Sequence, residues 1–316
     1  MAPNQSETWH EPVLADQVVR LLITNPDGAY LDLTAGDGGH LISMAQATTN
    51  AARLYGVDVD AQAVLRAKRR LDKEPRVRDV VHASYALIDQ ITSRWPDKRF
   101  SGVLLDLGLS SLQLDRAERG FSHRLDGPLD MRFSLDAPGP TAADLINTLD
   151  ERKLAEILRE FGEEKQAARL ARAIVRERQG GMILTTRHLA DIVTGTIPPP
   201  HQTKSLSRVF QALRIAVNHE LDHIDTVLPK TLDLLSPGGR LAVISYHSLE
   251  DRRIKRFFQQ QQKGCICPPR QPVCTCHRKP TLSIITRKPL EPTPGEIAAN
   301  SRARSARLRV AERRTA

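Results

Sequence analysis

The stretch YLDLTAGDGGHL, Tyr30–Leu41, sets an acid, a glycine-rich turn and a histidine within a few positions, the makings of a ligand-binding loop. An apolar run delivers Asp32 and then the turn Gly36-Asp37-Gly38-Gly39-His40, after which a helical pattern begins. Glycines there let the backbone approach a ligand and adopt positive φ without a Cβ clash, as in a nucleotide-type cofactor loop. A dinucleotide fingerprint needs G-x-G-x-x-G, with the helix N-terminus facing a pyrophosphate. Counted from Gly36, the third glycine falls on Leu41, so it is missing. Asp37 adds an anion beside the place a pyrophosphate would occupy. A cationic cofactor without phosphates fits better, and S-adenosylmethionine carries a sulfonium, an amino group and a ribose with two hydroxyls. Asp58 closes the next apolar run, LYGVDVD, where an acid takes both ribose hydroxyls. NAD enzymes use the same device, so Asp58 does not decide the cofactor. Its plain alternative is capping the next helix.

Other polar residues fall where the ends of later strands are expected. Asp106-Leu107-Gly108-Leu109 stands where many enzymes that methylate exocyclic amines carry an Asp/Asn-Pro-Pro-aromatic turn. Ser110, Ser111, His123, Asp126, Asp130 and Arg132 follow it, and Ser245, His247 and Ser248 follow a later apolar run. For any one of these, ordinary loop hydrogen bonding is the plain alternative. As groups, DGPLDMRF and SYHSLED suit the walls of a nucleotide pocket. Lys165, Arg169, Arg172 and Arg176 recur at three- and four-residue steps, a basic helical stripe. With Arg208, Arg214 and the Arg-rich C-terminus, that stripe suits RNA as well as it suits a solvated face. Cys265, Cys267, Cys274 and Cys276 form C-x-C-x6-C-x-C beside His277. Four thiols in a short loop suit tetrahedral zinc, although C-x-C is tighter than the usual C-x2-C. Reduced thiols and redox pairing remain alternatives, and no residue is assigned to a metal here.

The elements that position these residues alternate. AYLDLTAG, LYGVDVD, VRDVVHAS and SGVLLDLGLS read as near-continuous apolar strands, with helical patterns between them. That implies a parallel sheet covered by helices on both faces. From Ser111 to about Ser205 the strand signal stops and helical patterns follow, beginning at the N-cap candidate Asp150. SLSRVFQALRIAVNHELDHIDTVL reads as one helix that Pro229 should kink or break, and SPGGRLAVISYHS as a fifth strand. LSIITRKPL and SARLRVAE read as closing strands, the latter an edge strand from its alternation. The expected domains are therefore 1–110, a helical insertion at 111–205, and 206–316 with a Cys-rich loop at 264–277.

The formal net charge is +9, which leans towards a polyanionic partner. No apolar run approaches the roughly 18 residues of a membrane span. The N-terminus MAPNQSETWHEPVL lacks the basic start and apolar core of a signal peptide, so the expected compartment is cytoplasmic.

HEPVLADQVV, DLTAGDGGH, GVLLDLGLSSLQLDRAERGFS, DGPLDMRF, RVFQALRIAVNHEL, PGGRLAVISYHSLEDRRIKRFF and NSRARSARLRVAER together resemble the bacterial ribosomal RNA small-subunit methyltransferase H family, also called MraW. The resemblance runs over nearly the whole chain. It implies an α/β Rossmann-type methyltransferase sheet with an inserted all-helical domain. It also implies S-adenosylmethionine-dependent methylation of the exocyclic amine (N4) of a cytosine in the decoding region of small-subunit (16S) rRNA. The implied partner is that rRNA, within the assembled or assembling 30S subunit. Carried over residue by residue, the family's cofactor positions fall on Gly38, Gly39, His40, Asp58, Tyr85, Asp106 and Gln113. Tyr85 stands where phenylalanine is frequent, and Leu112 where proline commonly precedes the glutamine. No catalytic base is implied.

Overall fold

The computed structural model describes residues 11–136, 138–265, 267–268, 271–273, 275–276 and 278–315. They divide into two compact units. One comprises the chain up to Gly108 together with His223 onward, and the other is Leu109–Asp222.

The first unit is built on one seven-stranded sheet: β1 (Ala29–Asp32), β2 (Arg53–Asp58), β3 (Val77–His82), β4 (Phe100–Asp106), β5 (Leu235–Ser245), β6 (Leu282–Ile284) and β7 (Arg307–Arg313), in the order β3-β2-β1-β4-β5-β7-β6. The first five pair in parallel, whereas β7 runs antiparallel to both β5 and β6. All four residues of β1 are buried, as a strand covered on both faces requires. Helices Gly39–Gln46 and Ala61–Leu71 make the first two crossovers. The strand order reverses between β1 and β4, which makes the carboxyl ends of β2, β1 and β4 the switch point where ligands bind in such sheets. Asp58, Asp32 and Asp106 are the last residues of those three strands.

β7 is not the edge strand that its alternation suggested. It lies between β5 and β6, and Leu308, Arg309, Val310 and Ala311 are all buried in succession. Arg309 breaks the pattern because its guanidinium makes two hydrogen bonds to Asp251 of the helix Ser248–Lys263, at 2.6 and 3.1 Å.

The second unit is helical around its own core, which includes Leu154, Leu158, Leu170, Ile174, Val209 and Phe210. It reaches Asp222 rather than residue 205. Helix Gln202–Asn218 packs on Ala142–Thr148, Glu151–Glu160 and Thr186–Thr196, so its apolar face belongs to this core. The helix that follows, Glu220–Leu234, continues through Pro229. The break comes instead at His219, the C-cap of the preceding helix, which takes the left-handed conformation at φ 50°. Among the described residues no helix is long and apolar enough to cross a membrane.

Asp251 and Arg309 are both nearly inaccessible, so removing one strands the other's charge. Asp251→Ala should lower unfolding stability by about 3–5 kcal/mol. Urea denaturation measures this, and a loss below about 1 kcal/mol would show the pair to be solvated.

Candidate cofactor site

The turn after β1 is assembled by backbone bonds. Ala35 N–H donates to the Val57 carbonyl and Gly38 N–H to that of Ala35, at 2.9 and 2.8 Å. Gly36 and Gly38 take φ of 52° and 81°, and a Cβ on Gly38 would lie 2.8 Å from the Leu71 side chain. Only glycine fits at Gly38, on both counts. Gly38 is also the N-cap of helix Gly39–Gln46, and with no side chain to give, it leaves the helix without a side-chain cap. The positive end of that helix is thus dressed by backbone alone.

Three carboxylates border this turn, and each is held differently. Asp32 is fully buried. Its Oδ1 accepts from the Thr34 amide and hydroxyl at 3.0 and 3.3 Å, whereas its Oδ2 has no hydrogen-bond partner. Burial pushes its carboxyl up to about 6, against the opposing pull of the His40 charge and the Thr34 amide. Asp58 accepts from Gly36 N–H at 2.7 Å and from Asp60 N–H at 2.8 Å. Burial raises it, too, to about 6, although those two amides pull it down. It does not cap the following helix; Asp60 does, through Gln62 N–H at 2.9 Å. Asp106 takes the Tyr246 hydroxyl on Oδ1 at 2.9 Å and lies 3.4 Å from His40 Nε2 through Oδ2. The His40 approach is a close ion pair, too poorly aligned for a full hydrogen bond. Thr34 stitches the group together, because its hydroxyl also accepts from Asp106 N–H at 2.6 Å.

His40 is 4% exposed. Burial opposes its protonation, but its contact with Asp106 and the charges of Asp106 and Asp32 outweigh that, and its pKa is raised. Tyr246 is driven the other way from ionisation. Burial and the adjacent Asp106 raise its phenol well above the ordinary value, so it remains a donor.

Of the residues expected at the cofactor, Gly38, Gly39, His40, Asp58 and Asp106 therefore come together around one turn. Tyr85 opens a short 3-10 turn after β3, half-buried, with its ring set edge-on to His223 at 6.1 Å. Gln113 belongs to the helical unit. There its carbonyl accepts from Ser110 N–H at 3.1 Å while Ser110 Oγ accepts from Gln113 N–H, a reciprocal cap on helix Ser111–Asp115. Asp37 corrects an expectation. Its carboxylate is neutralised by Arg66 at 2.8 Å, so it offers no spare charge to a cationic cofactor. Asp32 was named at the end of the first strand and Tyr246 lies within SYHSLED, but neither was assigned to the cofactor, and Thr34 was not singled out.

Several other candidates prove to be structural. His247 caps helix Ser248–Lys263 together with Glu250, Ser245 is buried beside β7, and Asp130 pairs with Arg132 at 2.8 Å. Ser248 and Asp126 are exposed. His123 stacks edge-on against Phe210 at 5.6 Å, and burial lowers its pKa. The side chain of Ser111 and all of Cys274 and His277 lie outside the described residues.

The model of the MraW methylase family matches residues 7–314. This chain belongs to that family. It is 44% identical over 314 residues to ribosomal RNA small subunit methyltransferase H of Syntrophus aciditrophicus, covering 98% of this chain and 99% of that one. The protein of the same name from Syntrophotalea carbinolica is 45% identical over 307 residues, covering 96% and 98%. That from Heliobacterium mobile is 43% identical over 311 residues, covering 97% and 99%. Among solved structures, an rRNA methylase from Streptococcus thermophilus aligns with 98% of this chain and 100% of its own at 11% identity, with a TM-score of 0.41.

The cofactor of this methylase family is S-adenosylmethionine, and the residues present fit it. A buried carboxylate oxygen without a partner, Asp32 Oδ2, is an unmet acceptor for a cationic ligand. The Cβ direction of Gly36 opens onto space, with only the Thr34 carbonyl as near as 4.0 Å.

Both raised carboxyls should show in the pH dependence of cofactor binding. Above about pH 7 Asp32 and Asp58 are ionised. As pH falls through about 6 they take up protons, and the loss of their negative charge opposes binding of a cation. Calorimetry should find affinity steady above about pH 7 and roughly tenfold weaker near pH 5. Tighter binding in acid would contradict these roles. Asp106→Asn keeps the shape but not the charge facing His40 and Tyr246. Cofactor affinity should drop about tenfold, and unchanged affinity with normal turnover would remove Asp106 from the site.

Proposed function

We propose that the protein methylates the exocyclic N4 amine of a cytosine in the decoding region of small-subunit rRNA, in the cytoplasm, on the assembled or assembling 30S subunit. The observation that carries the reading is the cluster of Asp32, Asp58 and Asp106 around the Gly36–His40 turn, an anionic and phosphate-averse site at the switch point. The acceptor follows from the relatives, whose names specify small-subunit rRNA, and from the family motifs of the sequence.

S-adenosylmethionine, when bound, supplies an electrophilic methyl group. Asp58, fixed by two backbone amides, would accept from the ribose hydroxyls, and Tyr85 would face the adenine. Asp32 and Asp106 would favour the positive end of the donor. Cytosine's amine is a weak nucleophile, so holding nitrogen and methyl in line is the main help an enzyme can give. Transfer forms the N–C bond and breaks the S–C bond, and the extra proton on nitrogen leaves to solvent. Both oxygens of Asp106 are already engaged, so it is a positioning hub rather than a free base.

The helical unit would hold the RNA, with its base splayed out of the fold. Its DGPLDMRF segment is pinned: Arg119 donates to the carbonyls of Arg132 and Phe133, and Asn218 bonds Met131 and Phe133. These bonds hold Met131 at φ 63°, a conformation that costs a non-glycine residue energy. Lys165, Arg169, Arg172 and Arg176 are all exposed in this unit, Arg172 with Glu151 3.4 Å away. Two other cations are spent internally: Arg214 on Glu220 at 2.8 Å and Arg309 on Asp251.

Incubation with S-adenosylmethionine and either small subunits or naked rRNA, followed by nucleoside mass spectrometry, should yield N4-methylcytidine. A methyl group on carbon 5, on another base or on ribose would overturn the proposal. Changing the four stripe residues together to Gln should weaken RNA binding and reduce the slope of log K against log salt by up to about 3. An unchanged slope would remove the stripe from the interface.

A further inference from the structure

The cysteines lie on the segment that joins helix Ser248–Lys263 to β6. Its two ends are tied together. Thr281 N–H donates to the Gln261 carbonyl at 2.9 Å, and its hydroxyl donates to Gln261 Oε1 at 2.7 Å. Gly264, at φ 69°, crosses so near the returning strand that a Cβ there would lie 2.5 Å from Pro280 N. Between these ties no described residue from 265 to 281 is buried, and Val273 is 71% exposed. Apolar burial therefore contributes almost nothing against the entropy of ordering this loop. A cross-link would offset that entropy.

The sulfurs of Cys265, Cys267 and Cys276 lie within 4.8 Å of one another, and those of Cys265 and Cys276 are 3.8 Å apart. Zinc–thiolate bonds of about 2.3 Å at tetrahedral angles separate their sulfurs by about 3.8 Å. A disulfide requires about 2.05 Å, so the observed spacing is not that of a bonded pair and matches the separation of ligands around one ion. Thr275 adds an outer contact, with its hydroxyl 3.9 Å from Cys267 Sγ and itself held by the Gln271 amide at 2.9 Å.

We propose that this loop is a structural zinc site, with Cys265, Cys267 and Cys276 as thiolate ligands. The sequence offers a further thiol, Cys274, and an imidazole, His277, outside the described residues. All-thiolate or near all-thiolate donors are soft, which favours zinc over hard cations such as magnesium. The ion would organise the approach to β6, the short edge strand of the sheet, and takes no part in methyl transfer. The proposal is independent of the function assigned above.

The test is metal analysis of the full chain, purified with reductant and without a histidine tag. About one zinc per chain is expected, falling at least fivefold in each of Cys265→Ser, Cys267→Ser and Cys276→Ser, with cofactor affinity unchanged as evidence of folding. Should a variant fail to fold, the wild-type protein serves. Chelation should open the 264–281 segment to protease, zinc should close it again, and cobalt(II) should produce thiolate charge-transfer absorption. A wild-type chain that retains no metal after reconstitution with zinc or cobalt(II) would overturn the site. So would a mass showing these cysteines oxidised in pairs, or metal content unchanged in all three variants.

Discussion

The sheet's switch point brings three carboxylates to one turn, and the candidate cofactor site depends on how that crowding is resolved. Asp32 is the extreme case, fully buried with one oxygen bonded and the other unmet. Its carboxyl, at about 6 rather than 3.8, costs the folded protein roughly 3 kcal/mol when ionised at neutral pH. A raised acid binds its proton more tightly in the native state, so this cost fades as pH falls through about 6. His40 and Thr34 relieve part of it, the first by charge and the second by donating to Asp32 while accepting from Asp106. A cationic ligand would relieve more, and binding that does so adds to the stability of the fold. The site is therefore strained towards its ligand, as functional sites frequently are.

The helical unit solves a different problem. It has its own core, to which Leu129 and Met131 of the pinned DGPLDMRF segment belong. Chain connectivity sends it out after β4, which ends in Asp106, and returns it before β5, which Tyr246 follows. Acidic and basic side chains are shared out accordingly. Some arginines are engaged in internal ion pairs, Arg214 with Glu220 and Arg309 with Asp251, whereas Lys165, Arg169, Arg172 and Arg176 are exposed.

Much of this was legible because it is local. The strands β1, β2, β4 and β5 announce themselves as apolar runs, since burial on both faces removes alternation. Gly36 and Gly38 announce the turn, because both take positive φ and Leu71 leaves no room for a Cβ on Gly38. Asp58 could be placed at a strand end, but its freedom from capping duty could not, because Asp60 is an equally good cap two residues on. The edge position given to β7 failed for a similar reason. Arg309 looked like an outward residue until Asp251, on a distant helix, supplied its partner.

The sequence by itself determined the parallel α/β sheet, the place of the glycine turn, the family and the acids that end three strands. Each of these follows from neighbours along the chain or from spacing within one element. Only the tertiary structure decided that Asp37 is spent on Arg66, that Tyr246 joins Asp106, that helix Gln202–Asn218 belongs to the helical core, and that three cysteine sulfurs meet. These are pairings between segments far apart in the chain. Charge and burial at one residue depend there on a partner that no local pattern names.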